Sequence, residues 1–507
     1  LTSAAPVLEL GRILAARGHR VEFATHKGQE KWVDSPSYSF LSGVHSMGAA
    51  MDAATEEAHY LELQDTDIRK DMTRYIAPMF TIQAFWASDF EHLMRIVEAL
   101  KPDMIVADAF VDFAVRDIQI QTGVPVATVW SQMPYGMLSA PYIPGIPGLQ
   151  TAALTSEHAS LWTRIRAALR PLRAAMPAVR YFQFLAAMRK ENGINYALPI
   201  QNKPDYLVLA NSFWGLETPK DLPPLVAAIG PILSDEYPPL TDQFDMFFAS
   251  HRQVVYIAFG THVRVRPTDL EKFIVALSQL IGEDKIDGVI WAASQAQSVL
   301  FDPYQRLPGH KHSFGDLANN RSPSWLFIPF APQRAILDRP ETALFVTHGG
   351  GSSINEALFH GKPMLLLGFF ADQPVNGLRV EEAGIGLRLD KAGFSADEIY
   401  EKARYILDDE SGTISQDVQR MKHIARISAR KKEYGADLIQ EVLYDCKYSQ
   451  SLDGTPGRRR PMHLQTADGR MSAWRANNWD LRCIGLLSAA GLVGSVYYVY
   501  KWAEKNM

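Results

Sequence analysis

Apolar positions recur at helical spacing over residues 7–16, stop at Arg17-Gly18-His19, and give way to the strand-like Val21-Glu22-Phe23-Ala24. Residues 103–107 (DMIVA) form a short continuous apolar run of the buried-strand type. A helical pattern to Thr122, a strand over 125–129 and another over 204–209 follow. The rhythm breaks between Pro231 and His251, where ILSDEYPPLTDQF, rich in Pro and Asp, reads as a linker. It then restarts with strands over 254–259, 288–293, 325–328, 344–347 and 364–367, a helix over 268–280, and a helix after each of the last two strands. Strands alternating with helices predict an α/β fold of parallel, doubly wound sheets. Two such halves, 1–232 and 253–447, joined by a linker over 233–252, imply a cleft in which ligands bind at the carboxyl ends of strands. An open sheet would place a strand before the first helix, so a strand and any targeting signal are expected upstream of Leu1.

Two segments leave this rhythm. Residues 151–190 read as a helical, amphipathic insert with six arginines and Lys190 against a single Glu157. Its face carries Leu161, Trp162, Ile165, Leu169, Leu172 and Met176. Such a stretch suits a membrane surface, and equally a cover over a pocket with its basic side in water. Residues 483–500 are eighteen positions without a charge, bounded by Arg482 and Lys501, with Tyr497, Tyr498, Tyr500 and Trp502 at one end. Behind a polar linker over 448–480, a span over 481–501 reads as a transmembrane anchor, with a buried core helix as the alternative. Arg470, Arg475 and Arg482 before it and Lys501 and Lys505 after it bias the catalytic part to the cytosol. The sequon Asn320-Arg321-Ser322 points the other way, to a lumen.

Composition adds exclusions. A length of 507 residues exceeds one compact core. With 47% hydrophobic and 21% charged residues the chain is an ordinary globular protein, and a net charge of -5 gives no electrostatic case for nucleic acid. Its two cysteines, Cys446 and Cys483, form neither a zinc site nor a nucleophile motif, and no metal is expected.

The candidate chemistry lies in 330–373. Phe345-Val346-Thr347 ends a strand, His348-Gly349-Gly350-Gly351-Ser352-Ser353 turns, and Ile354-Asn355-Glu356-Ala357-Leu358 opens a helix. Such a turn directs backbone N–H groups and a helix dipole at an anion, and glycines let the ligand approach. Ser352, Ser353 and His348 add side-chain donors. Glu356 stands where a carboxylate can accept ribose hydroxyls. Asp372-Gln373 follows the strand MLLLG, and Pro332-Gln333 closes the other side.

The run FAPQRAILDRPETALFVTHGGGSSINEALFHGKPMLLLGFFADQ resembles the donor signature of family 1 UDP-glycosyltransferases. RGH at 17–19, GVP at 123–125 and AFGT at 258–261 agree with it. The resemblance implies a GT-B fold: two Rossmann-like domains facing a cleft, an N-terminal acceptor-binding domain and a C-terminal domain for the UDP-sugar. It implies that Phe330 stacks on uracil, Gln333 touches base or ribose, and Glu356 holds the ribose hydroxyls. His348, Ser353 and the Gly350-Gly351 backbone would bind the diphosphate with Gly260 and Thr261. Asp372 and Gln373 would hold the transferred sugar, with Gln373 favouring glucose over galactose and glucuronate left open. The UDP-sugar is a donor substrate, so no cofactor is implied. The chain departs from the family at Phe330, usually Trp, and at Gly351-Ser352, often Trp-Asn.

The resemblance further implies an inverting reaction in which a histidine takes the acceptor proton and Asp108 orients it. The alternative for Asp108 is a helix N-cap. The family's histidine lies sixteen residues before the His of RGH; here that is Ser3, so the base is expected upstream of Leu1. The expected activity is hexose transfer, glucose foremost, to a hydroxyl of a lipophilic acceptor such as a sterol, phenolic or lipid, on a single-pass membrane protein of the endoplasmic reticulum. The rival reading is an inactive, membrane-anchored nucleotide-sugar binder.

Overall fold

The computed structural model describes residues 4–67, 69–134, 136–198, 203–293, 313–449 and 460–506; Ser3 lies outside the described residues. In the first half β1 (Val21–Lys27) and β2 (Leu41–Ala49) form a parallel pair. A separate parallel sheet runs β3 (Ile105–Asp108), β4 (Val126–Trp130), β5 (Leu207–Ala210) and β6 (Val226–Ala228), in that order. In β4 and β5, Ala127, Val129, Leu207 and Leu209 pack against Leu10, Ile13 and Leu14 of the helix Ala4–Ala16, whose i, i+3, i+4 spacing gives it one apolar face.

The same cluster takes Ala436, Ile439, Val442 and Cys446 from the helix Lys431–Tyr448, so the end of segment 253–447 returns to the first half. Polar contacts hold it there. Lys432 is buried between Glu9 at 2.7 Å and Asp235 at 2.8 Å. Arg17 reaches Asp437 at 2.7 Å and Glu433 at 2.9 Å, and His19 meets Gln440 at 2.8 Å.

The second half is one six-stranded parallel sheet. Its strands are β7 (Val254–Ala258), β8 (Gly288–Ala292), β9 (Trp325–Ile328), β10 (Thr342–Thr347), β11 (Met364–Leu367) and β12 (Gly386–Leu389), ordered β12-β11-β10-β7-β8-β9. The chain starts at the centre on β7, winds outward through β8 and β9, and returns beside β7 to wind the other way. Strands buried on both faces need apolar side chains throughout, as Val254, Val255, Tyr256 and Ile257 and the whole of Met364–Leu367 show.

Two segments differ from the sequence reading. Within the linker over 233–252, Asp242–Ser250 is a helix that buries Phe244 and Phe248 in the second core. In the insert over 151–190 the helix starts only at Leu161, where the Ser160 hydroxyl accepts the Thr163 N–H at 3.2 Å, and continues to Glu191. In the sequon, both amide atoms of Asn320 clasp the backbone of Phe327, at 2.6 and 2.9 Å, so the folded side chain is already engaged. The terminal helix Trp479–Asn506 has 28 residues, none of them buried, and contains an eighteen-residue window of mean hydropathy 1.5; it is long and apolar enough to cross a membrane.

Candidate functional site

β7 and β10 pair in register, with Ala258 opposite Thr347, so the turns that follow them lie side by side at the carboxyl ends. The winding direction reverses between these two strands, which opens a crevice there. The turn after β7 carries Gly260 at φ +74°, and the turn after β10 carries His348. The imidazole fills the slot between the two turns. A Cβ on Gly260 would lie 3.0 Å from it, and one on Gly350 2.6 Å from its Nε2. Neither position tolerates a side chain while the ring is there. Burial pushes the His348 pKa down to about 4, against a hydrogen bond to the Ala258 carbonyl. Gly350 caps the helix Gly351–His360, whose first-turn N–H groups face the crevice. Ser352 sits on that first turn and Thr261 is exposed beyond Gly260.

The next turn of the helix holds a hydrogen-bonded cluster. Gln333 Nε2 donates to Glu356 Oε2 at 2.7 Å and approaches Ser353 Oγ at 3.4 Å. The buried Tyr256 hydroxyl approaches Gln333 Oε1 at 3.5 Å. Burial raises the Glu356 carboxyl above its ordinary pKa, opposed by Gln333 and by the charge of Arg334. Gln333, Ser353 and Glu356, separated in sequence, therefore form one polar wall. Phe330, after β9, is 77% exposed, an uncommitted ring face at the edge of that wall.

Asp372 and Gln373 begin the helix Gln373–Glu382 after β11. Gln373 Oε1 accepts the N–H groups of Phe369 at 2.9 Å and Phe370 at 3.2 Å, which leaves its Nε2 as the end available to donate. Burial raises the Asp372 pKa, opposed by bonds that include the Asn376 amide at 2.9 Å and the Gly351 N–H. Asn376 also donates to the Gly349 carbonyl and accepts from Arg379, both at 2.9 Å. Arg379 then crosses to the first half, to Glu217 at 2.7 Å and Gln132 at 2.9 Å. Gly351 faces that half too: a Cβ there would come 3.0 Å from the Ser131 carbonyl oxygen. The space for a family-type Trp at 351 is thus taken by the first half.

Asp108 ends β3. Its Oδ1 accepts the Phe110 N–H at 2.9 Å and caps the turn Ala109–Val111. Burial raises its pKa to about 7 against the N–H groups of Phe110 and Ala109. Among the described residues no histidine hydrogen-bonds to it. A cavity of about 260 Å³ lies beside the crevice, between Thr66, Asp67 and Arg69 on one side and Gly368, Phe369, Phe370 and Gln373 on the other; it shares Gln373 with the site but none of His348, Ser353 or Glu356. The sequence reading missed Tyr256, Asn376, Arg379 and Glu217. Asn376 and Arg379 were within reach, at i+3 and i+6 from Gln373 on one helix face.

The profile of the family described as UDP-glucoronosyl and UDP-glucosyl transferase matches residues 177–424. The UDP-glycosyltransferase FPY2 of Fusarium mangiferae is 38% identical over 535 residues, covering 100% of this chain and 96% of that protein. A UDP-glycosyltransferase of Talaromyces amestolkiae is 37% identical over 514 residues, covering 100% and 95%. Among solved structures, Os79 from O. sativa, in complex with U2F and trichothecene, superposes with a TM-score of 0.58 at 19% identity, covering 86% of this chain and 96% of that one.

Proposed function

This chain belongs to the family of UDP-glucuronosyl and UDP-glucosyl transferases and is a GT-B UDP-sugar glycosyltransferase; we propose that it transfers glucose, with inversion, to a hydroxyl of a lipophilic acceptor. What supports the donor assignment is the pairing of Gln373, whose Oε1 is taken by the Phe369 and Phe370 N–H groups so that its Nε2 is left to donate, with the adjacent carboxylate of Asp372. In this reading Phe330 stacks on uracil, Gln333 and Glu356 take the ribose, and the diphosphate lies over Gly350, Gly351, Ser352 and Ser353 with Gly260, Thr261 and His348. The UDP-sugar is a substrate, and the reaction so read uses no further cofactor and no metal. Asp108, with its raised pKa, is poised to gain from a cationic neighbour such as the imidazolium of a general base. The terminal helix anchors the chain in a membrane, that of the endoplasmic reticulum, where lipophilic acceptors concentrate.

The whole chain in membranes or detergent, given UDP-glucose, UDP-galactose or UDP-glucuronate with a sterol and a phenolic acceptor, is expected to form a β-linked glucoside. Preference for glucuronate would overturn the donor assignment. UDP binding without transfer or donor hydrolysis would support the inactive alternative.

His348 adds a pH dependence. One ring N–H is already given to the Ala258 carbonyl, so in the neutral ring the other nitrogen can only accept. Donating to a diphosphate requires the imidazolium, so binding raises the pKa from about 4. Between pH 4 and the pKa of the complex, UDP binding takes up a proton and tightens as pH falls. Calorimetry near pH 6 in buffers of different ionisation enthalpy should show this uptake, and His348→Ala should abolish it. Equal uptake in the variant would rule His348 out as its source.

A further inference from the structure

The helix Leu161–Glu191 has two apolar faces, only one of which the protein covers. Ala174, Tyr181 and Leu185 pack inward. At about 100° per residue, Leu161, Ile165, Leu169, Leu172 and Met176 fall within roughly 80° of one another on the opposite side. All five are exposed, Leu161, Leu172 and Met176 by 66–70%. Arginines flank this stripe in water: Arg166, Arg173 and Arg180 along one edge and Arg164 along the other. Trp162, 62% exposed, sits at the border with the Arg166 guanidinium over its ring. An apolar stripe bordered by cations matches an interface of acyl chains beneath anionic headgroups.

The position of the helix agrees. Its end is held by Arg189, buried on Asp117 at 2.7 Å. The neighbouring Arg116 faces Asp205 at 3.7 Å, and Asp205 pairs at 3.1 Å with Arg460, in the segment that leads to the terminal helix. The long helix and the route to the spanning helix thus meet at one corner of the first half. We propose that the exposed face of Leu161–Glu191 lies in the headgroup region of an anionic bilayer as a second membrane contact. This rests on the membrane anchoring proposed for the terminal helix.

The test uses the whole chain in phosphatidylserine-containing vesicles doped with a phospholipid that carries a diazirine in its acyl chain, with adducts mapped by mass spectrometry. Adducts are expected on peptides from both 161–180 and 483–500. Those on 161–180 should fall at least about tenfold in phosphatidylcholine alone, and in the quadruple variant R164Q/R166Q/R173Q/R180Q, with the anchor adducts unchanged. Adducts on the anchor alone would overturn the proposal and leave the anchoring intact. Adducts on neither would overturn both. Cross-links from 161–180 to a second copy of the chain would show that protein, not lipid, covers the face, and would also overturn it.

Discussion

Glu356→Ala is expected to weaken UDP-sugar binding by about 10²–10³-fold, seen as a raised KM for the donor and a raised Kd for UDP. Two hydroxyl bonds to a desolvated carboxylate are worth roughly 1.5–3 kcal/mol each. Part of that is offset, because the free protein already satisfies the carboxylate through Gln333 at 2.7 Å. Stability should hardly fall, since the variant removes a carboxylate whose raised pKa records a burial cost. Glu356→Gln should lie between the two, keeping size but losing charge. An unchanged donor KM in Glu356→Ala would remove the residue from the ribose site.

Arg379→Met should lower stability by about 3–5 kcal/mol, because it strands Glu217, which is 3% exposed. The loss is measurable by denaturant unfolding. Adding Glu217→Gln should recover much of it, since the buried charge is then gone. Sugar positioning should not recover, because Asn376 still lacks the Arg379 bond that sets its amide toward Asp372. Reduced kcat with restored stability in the double variant is the expected split. Full recovery of kcat would reduce Arg379 to a structural tie between the halves.

What the sequence shows plainly is what folds locally. The strand, glycine turn and helix over 345–358 follow one another without interruption, so spacing alone placed His348, Gly350 and Gly351 at one turn and Glu356 on the helix that follows. The strands of the second sheet were legible because burial on both faces demands continuous apolar runs such as MLLL. The strand LSGVHSMGA was not: β2 pairs only with β1, alternates exposed and half-buried positions, and contains Gly43 and Gly48. The helix Asp242–Ser250 hid in a Pro- and Asp-rich stretch because a short patch, buried Phe244 and Phe248 with half-buried Phe247, anchors it. The partners of the site were invisible for a different reason. Arg379 meets Gln132 across 247 positions, and the Asn355 amide meets Asn211 across 144. Nothing in local periodicity encodes such pairings. His348 illustrates the same limit: its place in the turn was readable, but the carbonyl of Ala258 that accepts its ring N–H comes from the neighbouring strand.

Calorimetric titration of the whole chain with UDP decides whether the turn between β10 and its helix holds the nucleotide of the donor. One UDP per chain should bind, at least about tenfold more weakly in His348→Ala and in Glu356→Ala. Binding should be unaltered in Asp108→Ala, which ought to lose transfer alone. UDP affinity indifferent to both donor-side substitutions would contradict the account.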